Sequence, residues 1–266
     1  MEGFDLRSLQ LQVESDNSIE HSRKILTEAC HYFATLPDND WKVKAIFRDL
    51  RENYPIEDVP EKDIFFYDVD TINPRDIPEE YKSYSLGLFK DDNHCVFAGR
   101  LVYPVRDTKG YVMGLCGWDP GSSTKYLDSR NYGYNAKNNI FYGLEMLESY
   151  YKSDKPVYIV EGIPCCNWLR AKGFQALAML GSHLHGYQLQ ILKRFEDRCV
   201  LLPDNDESGL YVIYKSRNTL LKAKCYVSIV AKDIDDTRRS HSEDLIDDLH
   251  KLANPFVSLK VLRVQH

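Results

Sequence analysis

The chain has 266 residues, of which 43% are hydrophobic and 28% are charged, and this composition excludes a disordered or fibrous protein. Its 34 basic and 40 acidic residues give a formal net charge of −6, which argues against a protein that is basic over its whole surface, as many nucleic-acid-binding proteins are. No apolar run approaches the roughly 18 residues that a membrane-spanning helix needs, and the N-terminus lacks the apolar stretch of a secretory signal. We therefore expect a cytoplasmic protein that does not bind a membrane.

The first half of the chain changes from helical to strand-like spacing. Apolar residues recur every three or four positions between about residues 17 and 52, which predicts two helices. Residues 53–93 are rich in acids, Pro and Tyr, so only short regular pieces are expected there. Two strand-like runs within 95–118, joined by a turn at Asp107-Thr-Lys-Gly110, predict a β-hairpin. A further helix is predicted from about Ile140 to Tyr151.

The second half alternates short apolar runs with helix-like segments of about ten residues. Strands are predicted at 156–161, 176–180, 199–203 and 225–231, and helices at 164–172, 187–195, 207–221 and 242–252. This alternation implies right-handed crossovers and a mostly parallel sheet. The predicted fold class is α/β, with an α+β N-terminal part followed by a Rossmann-like, mostly parallel sheet. The predicted segments are 1–94, 95–152, 153–238 and 239–266.

Carboxylates follow three of the four predicted strands. They are Glu161, then Asp204 and Asp206, then Asp233 and Asp235. The carboxyl ends of parallel strands meet at one edge of a sheet, where such folds bind ligands, and carboxylates gathered there repel one another unless a cation neutralises them. Oxygen ligands suit Mg²⁺ or Mn²⁺, whereas seven scattered cysteines without a C-x-x-C pair predict neither a zinc site nor a disulfide framework.

The order of these motifs resembles a known family. The stretches VYIVEG (157–162), LAMLGS (177–182) and VLLPDNDESG (200–209) look like the signature stretches of the TOPRIM domain. Upstream, RLVYPVRDTKGYVMGLCGW (100–118), TKYLDS (124–129) and Lys137 ahead of FYGLE (141–145) resemble the catalytic core of bacterial DnaG-type DNA primases. The resemblance covers roughly residues 95–236. It implies that 95–152 is a basic hairpin that binds template and 153–238 a TOPRIM catalytic domain.

The resemblance also implies roles for individual residues. Glu161, Asp204 and Asp206 would be the catalytic acids and ligands of Mg²⁺, with Asp233 and Asp235 as further metal ligands and Asp244 as a fallback for the third acid. The positions expected to engage template and nucleotide phosphates carry basic and aromatic residues: Lys125, Tyr126, Lys137, Arg100 and Arg106. Residues 100–137 hold six cations against three acids, so the local charge favours phosphate contact despite the acidic total.

Several positions depart from the family pattern. Cys165 stands where an Asp is usual. Cys165 and Cys166 open the predicted helix, whose N-terminus would lower a thiol pKa, but buried packing is favoured for at least one of the two. Gly117-Trp118 replaces a Gly-Gly-Arg ending, which exchanges a cation for a surface on which a base could stack. His183 and His185 form a His-x-His pair for which a surface or phosphate-facing position is favoured over metal binding. The resemblance includes neither a zinc ribbon nor a helicase-binding domain.

The predicted function is DNA-directed RNA primase, which synthesises short RNA primers on single-stranded DNA from ribonucleoside triphosphates by metal-dependent nucleotidyl transfer. A replicative helicase or a separate template-recognition protein is the expected partner, and the host cytoplasm the expected location if a phage encodes the chain. Two alternatives stay open: a TOPRIM-type metal-dependent nuclease, and a catalytically impaired TOPRIM protein that binds nucleic acid during replication.

Overall fold

The computed structural model describes residues 17–50, 64–82, 86–129, 140–195, 197–204 and 206–227. Two compact units form: the described residues of the first lie within 17–43 and 64–129, and those of the second lie within 44–50 and 140–227. The first unit thus draws on both predicted segments 1–94 and 95–152, whose boundaries stay predictions. None of the described helices is both long and apolar enough to cross a membrane.

The first unit packs a helix on an antiparallel sheet. Its elements are α1 (Asn17–Ala34), the start of α2 (Asn39–Leu50), β1 (Phe65–Phe66), β2 (Phe89–Asp91), β3 (His94–Cys95), β4 (Leu101–Arg106), β5 (Val112–Trp118) and β6 (Tyr126–Asp128). The main sheet has the order β1-β4-β5-β6, and β2 pairs with β3 separately. Leu26 and Phe33 of α1 are buried in one core with Phe65, Val102 and Leu115 of the sheet. The two predicted helices and the hairpin around Asp107–Gly110 are thereby confirmed.

The second unit is built on a mostly parallel sheet. Its elements are β7 (Phe141–Tyr142), α3 (Leu147–Tyr151), β8 (Val157–Val160), α4 (Ile163–Ala171), β9 (Gln175–Met179), α5 (Gly186–Leu192), β10 (Cys199–Leu201), α6 (Glu207–Lys222) and β11 (Tyr226–Val227). The strand order is β11-β10-β8-β9-β7, and every pair is parallel except β7 with β9. All four residues of the central strand β8 are buried. The predicted fold class is confirmed.

One predicted helix is wrong in its first half. Helical spacing predicts a helix from Ile140 to Tyr151, but Phe141 and Tyr142 form edge strand β7 beside β9. Gly143 then adopts a φ of +100°, a left-handed conformation that a helix does not continue through, and a short 3₁₀ turn precedes α3. The two apolar residues are buried by pairing with the sheet, which the spacing of apolar residues does not reveal.

Candidate active site

Two of the predicted acids meet at the carboxyl edge of the parallel sheet. Strands β8 and β10 are parallel neighbours with Ile159 opposite Leu201, so the residues that follow them emerge at the same edge. Glu161 follows β8, and its carboxylate Oε1 accepts a hydrogen bond from the backbone N–H of Asp204 at 2.9 Å. This contact links two strand ends that lie far apart in sequence, as the position of the carboxylates predicts.

Glu161 occupies an environment that disfavours its charge. Burial above all, together with the negative charges of Asp204 and Asp206, raises the pKa of Glu161 from 4.5 to about 7, although the hydrogen bond from the Asp204 backbone N–H acts in the opposite direction. The carboxyl group is therefore close to half protonated near neutral pH. A carboxyl group poised in this way is suited to proton transfer, and a nearby cation would return it to the ionised form.

Helix α6 begins directly at the third acid. Asp206 is the N-cap residue of α6, and its carboxylate accepts a hydrogen bond from the backbone N–H of Gly209 at 2.8 Å. The cap satisfies one of the free N–H groups of the first turn and holds the Asp206 carboxylate at the positive end of the helix dipole. The backbone of Asp204 is therefore held by its hydrogen bond to Glu161, and Asp206 is held by the first turn of α6.

Gly209 has a role that the sequence reasoning missed. A Cβ atom at this position would lie 2.8 Å from the carbonyl carbon of Asp204 and closer still to its oxygen. The Asp204 peptide therefore packs directly against the first turn of α6, which only a residue without a side chain permits. The sequence does carry a signal of this packing, a glycine three residues after Asp206 within a predicted helix. Glycine is unfavourable inside a helix, so its presence there indicates that another part of the backbone approaches closely.

Cys165 lies in the same electrostatic field. Burial raises the pKa of the Cys165 thiol well above its ordinary value, and the charges of Asp204 and Glu161 raise it as well. The N-terminus of α4 therefore does not lower this thiol pKa, because burial and two nearby carboxylates outweigh the helix dipole, and the preference for buried packing is confirmed at Cys166, which is fully buried. The thiol stays neutral at the position where the family usually has an Asp.

The two histidines stand on the loop that joins β9 to α5. Their rings contact each other with centroids 4.1 Å apart, and the Nδ1 of His183 lies 3.2 Å from the hydroxyl of Ser182. His185 precedes α5, where its backbone N–H donates to the side chain of Gln188 at 2.9 Å. Burial lowers the pKa of His185, and His183 lowers it further. These contacts fix the start of α5.

The basic positions predicted in the first unit differ in accessibility. Lys125 and Tyr126 are exposed. The Arg100 guanidinium donates to the backbone oxygens of Thr124 and Lys125, at 3.0 and 3.3 Å, so it supports the segment that carries Lys125. The Arg106 guanidinium donates to the backbone oxygen of Gly110 at 2.9 Å within the hairpin turn.

One expectation for this unit is wrong. Trp118 is only 3% exposed and is buried in the sheet, so its ring offers no surface on which a base could stack. Four of the predicted acids and cations lie outside the described residues: Lys137, Asp233, Asp235 and Asp244.

The donor set at the sheet edge fits a hard cation by its chemistry. Glu161, Asp204 and Asp206 supply carboxylate oxygens alone, which is what Mg²⁺ and Mn²⁺ prefer, and burial together with the two aspartate charges disfavours the ionised form of Glu161. Across the described ranges, no three His, Cys, Asp or Glu side chains are gathered closely enough to form a metal cluster on their own. In the described geometry, Glu161 and Asp206 both accept hydrogen bonds from backbone N–H groups.

The residues around this site are similar to those of known proteins. The Toprim-like family matches residues 159–238. The DNA primase of Borreliella burgdorferi is 28% identical over 173 residues, which are 63% of this chain and 33% of that protein. The DNA primase of Campylobacter jejuni is 29% identical over 135 residues, which are 48% of this chain and 22% of that protein. The chain thus spans a third or less of the length of these two relatives.

Solved structures with the same fold are also primases. The zinc-binding and RNA polymerase domains of the Aquifex aeolicus primase align with a TM-score of 0.70 at 22% identity, covering 91% of this chain and 62% of that one. A DnaG primase catalytic domain bound to single-stranded DNA aligns with a TM-score of 0.63 at 20% identity, covering 88% of this chain and 83% of that one. The chain is therefore similar in sequence to DNA primases, matches the Toprim-like family over residues 159–238 and shares the fold of the primase catalytic core.

Proposed function

We propose that the chain is a DNA-directed RNA primase, which joins ribonucleoside triphosphates into short primers on a single-stranded DNA template. The observation that carries this proposal is the hydrogen bond between Glu161 and the Asp204 backbone, with Asp206 beside them, at the carboxyl edge of a Toprim-like sheet. The relatives are DNA primases, and one structural neighbour is a primase catalytic domain bound to single-stranded DNA.

The three acids would hold Mg²⁺ or Mn²⁺, and the predicted ligands Asp233 and Asp235 would add to them. Such an ion would supply positive charge beside the phosphate groups and would offset the negative charge that develops during nucleotidyl transfer. Because Asp204 is anchored by Glu161 and Asp206 by the first turn of α6, the chain presents its carboxylates in place before substrate arrives. No zinc is expected in this proposal.

The first unit would bind the polyanionic substrates. Lys125 and Tyr126 are exposed on a segment whose backbone Arg100 supports, so we assign contact with template or nucleotide phosphate to these two side chains. Lys137 and Arg106 are proposed for the same task, with Arg106 also bonded within its hairpin turn. A replicative helicase or a template-recognition protein as partner, and a cytoplasmic location, stay predictions.

The test is ribonucleotide incorporation with matched amide variants. Asp204→Asn removes one charge at nearly unchanged shape, and Asp206→Asn does the same while keeping an N-cap residue, since Asn caps helices as well as Asp. We expect each to lower Mg²⁺-dependent primer synthesis on single-stranded DNA by about a hundredfold or more, because a lost electrostatic contact to the transition state commonly has that effect. Glu207→Gln is the control, because it removes a neighbouring exposed charge.

The same assay separates the alternatives. Primer synthesis at the wild-type rate in both amide variants would contradict the metal-site assignment. A template shortened in the presence of Mg²⁺, without oligoribonucleotide product, would instead indicate a nuclease. Binding of the template with neither product would indicate a catalytically impaired nucleic-acid-binding protein.

A further inference from the structure

Helix α6 exposes large apolar side chains along one face. Leu210 and Leu221 are 64% and 62% exposed, and Tyr211 and Tyr214 are 49% and 52% exposed. The spacing of Leu210, Tyr214 and Leu221 places them on one side of the helix, with Tyr211 at its edge. The opposite side packs into the unit through Val212 and other buried residues. A soluble protein rarely leaves four such side chains together on one helix unless the surface binds something.

The same face carries positive charge. Residues 208–225 contain four Lys or Arg and no Asp or Glu, in a chain whose net charge is −6. The Nζ of Lys215 lies 5.2 Å from the ring centre of Tyr211, and the Cζ of Arg217 lies 4.3 Å from that of Tyr214. Arg217 also donates to the backbone oxygen of Tyr214 at 2.7 Å, which holds its guanidinium against the ring. We call this surface the α6 face: Leu210, Tyr211, Tyr214, Lys215, Arg217 and Leu221.

A ligand for the α6 face must combine negative charge with flat or apolar surface. Single-stranded nucleic acid does so, because its phosphates pair with Lys and Arg while its unpaired bases and sugars contact aromatic rings, guanidinium planes and aliphatic side chains. The helix also begins at Asp206 of the candidate active site, and the α6 face begins one turn later at Leu210. A strand that occupies the sheet edge therefore has a cationic and aromatic surface along which to continue.

We propose that the α6 face binds single-stranded nucleic acid adjacent to the carboxylates. Which strand occupies the face depends on the proposed primase function, on which this proposal rests to that extent. The binding of single-stranded nucleic acid does not depend on it. The interaction adds a second contact surface to the one assigned to Lys125 and Tyr126. It is independent of metal and of nucleotide triphosphates, since none of the six side chains is a carboxylate.

The test measures binding directly, with the full chain, in EDTA and without nucleotides. The probe is a fluorescently labelled oligodeoxythymidylate of about 15 nucleotides, followed by anisotropy between about 50 and 200 mM salt. For the double variant Lys215→Gln with Arg217→Gln, we expect affinity to fall about tenfold at low salt. The slope of log affinity against log salt should become shallower by about 1.4, because each lost phosphate contact to a single strand changes it by roughly 0.7. The control, Lys155→Gln with Lys193→Gln, removes the same charge from exposed positions elsewhere in this unit.

The tyrosines give a second, independent measurement. Tyr211→Leu with Tyr214→Leu keeps apolar, helix-favouring side chains but removes the rings, so we expect affinity to fall about fivefold or more with the salt slope unchanged. The proposal is overturned if both double variants bind as the Lys155 and Lys193 control does. It is also overturned if sedimentation shows that the wild type self-associates through this face, the variants are monomeric, and oligonucleotide affinity is unaltered.

The two proposals fail in different ways. Asp204→Asn should lose primer synthesis while it binds the probe with the wild-type salt slope. If the wild type makes no primers but the α6 variants still weaken binding, the primase function is contradicted and the α6 face is not.

Discussion

Gly209→Ala tests whether the Asp204 backbone is held against helix α6. Alanine is normally the better residue within a helix, by about 1 kcal/mol, so helix propensity alone predicts a more stable protein. The structure predicts the reverse, because the added Cβ would lie 2.8 Å from the Asp204 carbonyl carbon and 3.1 Å from its nitrogen. The added Cβ would lie closer still to the Asp204 carbonyl oxygen, and ordinary contacts to a carbon atom are about 3–3.5 Å or longer, so the Asp204 peptide must move by about 1 Å or more.

That displacement sets the expected magnitude. Overpacking against backbone costs about 1–3 kcal/mol, and a shift of this size also weakens the 2.9 Å hydrogen bond from the Asp204 N–H to Glu161, which contributes about 1 kcal/mol. After the gain in helix propensity, we expect Gly209→Ala to lower the free energy of unfolding by about 2 kcal/mol. For a protein of this size the Tm falls by about 4–8 °C. Misplacing Asp204 should also lower primer synthesis by about ten- to a hundredfold.

Urea denaturation and ribonucleotide incorporation measure the two effects. Gly186→Ala is the matched control, because Gly186 is the exposed first residue of α5 and a Cβ there would meet no atom within 4 Å. We expect that control to be as stable as the wild type or about 0.5 kcal/mol more stable, with normal synthesis. If Gly209→Ala behaves like Gly186→Ala in both assays, the packing of Asp204 on α6 does not position the acid.

Two further predictions concern single buried or partly buried side chains. The folded-state pKa of Glu161, about 7, lies above its ordinary value of 4.5, so this group favours the folded state at low pH and loses that contribution as pH rises through 7. In metal-free buffer, the unfolding free energy of Glu161→Gln should therefore fall by about 2 kcal/mol less than that of the wild type between pH 5 and 8. Identical pH profiles of variant and wild type would contradict the assigned pKa. Asn39 is buried, donates to the backbone oxygens of Ala34 and Ile64, and accepts from the N–H of Phe66. Asn39→Ala should lower the unfolding free energy by about 2–3 kcal/mol in urea denaturation, whereas a loss below about 0.5 kcal/mol, as for a typical surface site, would show that these bonds add little.

The parallel sheet and its acidic edge could be predicted because both follow from local pattern and topology. Four short apolar runs separated by helix-like segments leave few arrangements other than a parallel sheet. Once β8 and β10 are parallel neighbours, Glu161 and Asp204 must emerge at the same edge. This reasoning requires no knowledge of which side chains pack together, which is why it succeeded for the contact between Glu161 and Asp204.

The features that the sequence did not reveal depend on neighbours distant in the chain. Trp118 is buried because its strand lies inside the first sheet, and an isolated Trp after a glycine carries no sign of this. The pKa of Cys165 is raised first because the thiol is buried and then because of the charges of Asp204 and Glu161, which follow strands β10 and β8. Phe141 and Tyr142 have helical spacing with the residues that follow them, yet pairing with β9 makes them a strand. In each case burial or charge from another element outweighs the local tendency.

The net charge of −6 describes neither of the two surfaces that matter for the proposed function. At the sheet edge, burial and the carboxylates of Asp204 and Asp206 raise the free energy of the ionised Glu161, and protonation near pH 7 relieves part of that cost. A divalent cation would relieve it as well, so proton and cation compete for the same carboxylate oxygens, and cation affinity should rise with pH. On α6 the sign is reversed, because residues 208–225 contain cations without acids. An acidic total is therefore compatible with nucleic-acid binding, since in the two proposals the carboxylates would act on phosphate through a cation while the α6 face would contact it directly.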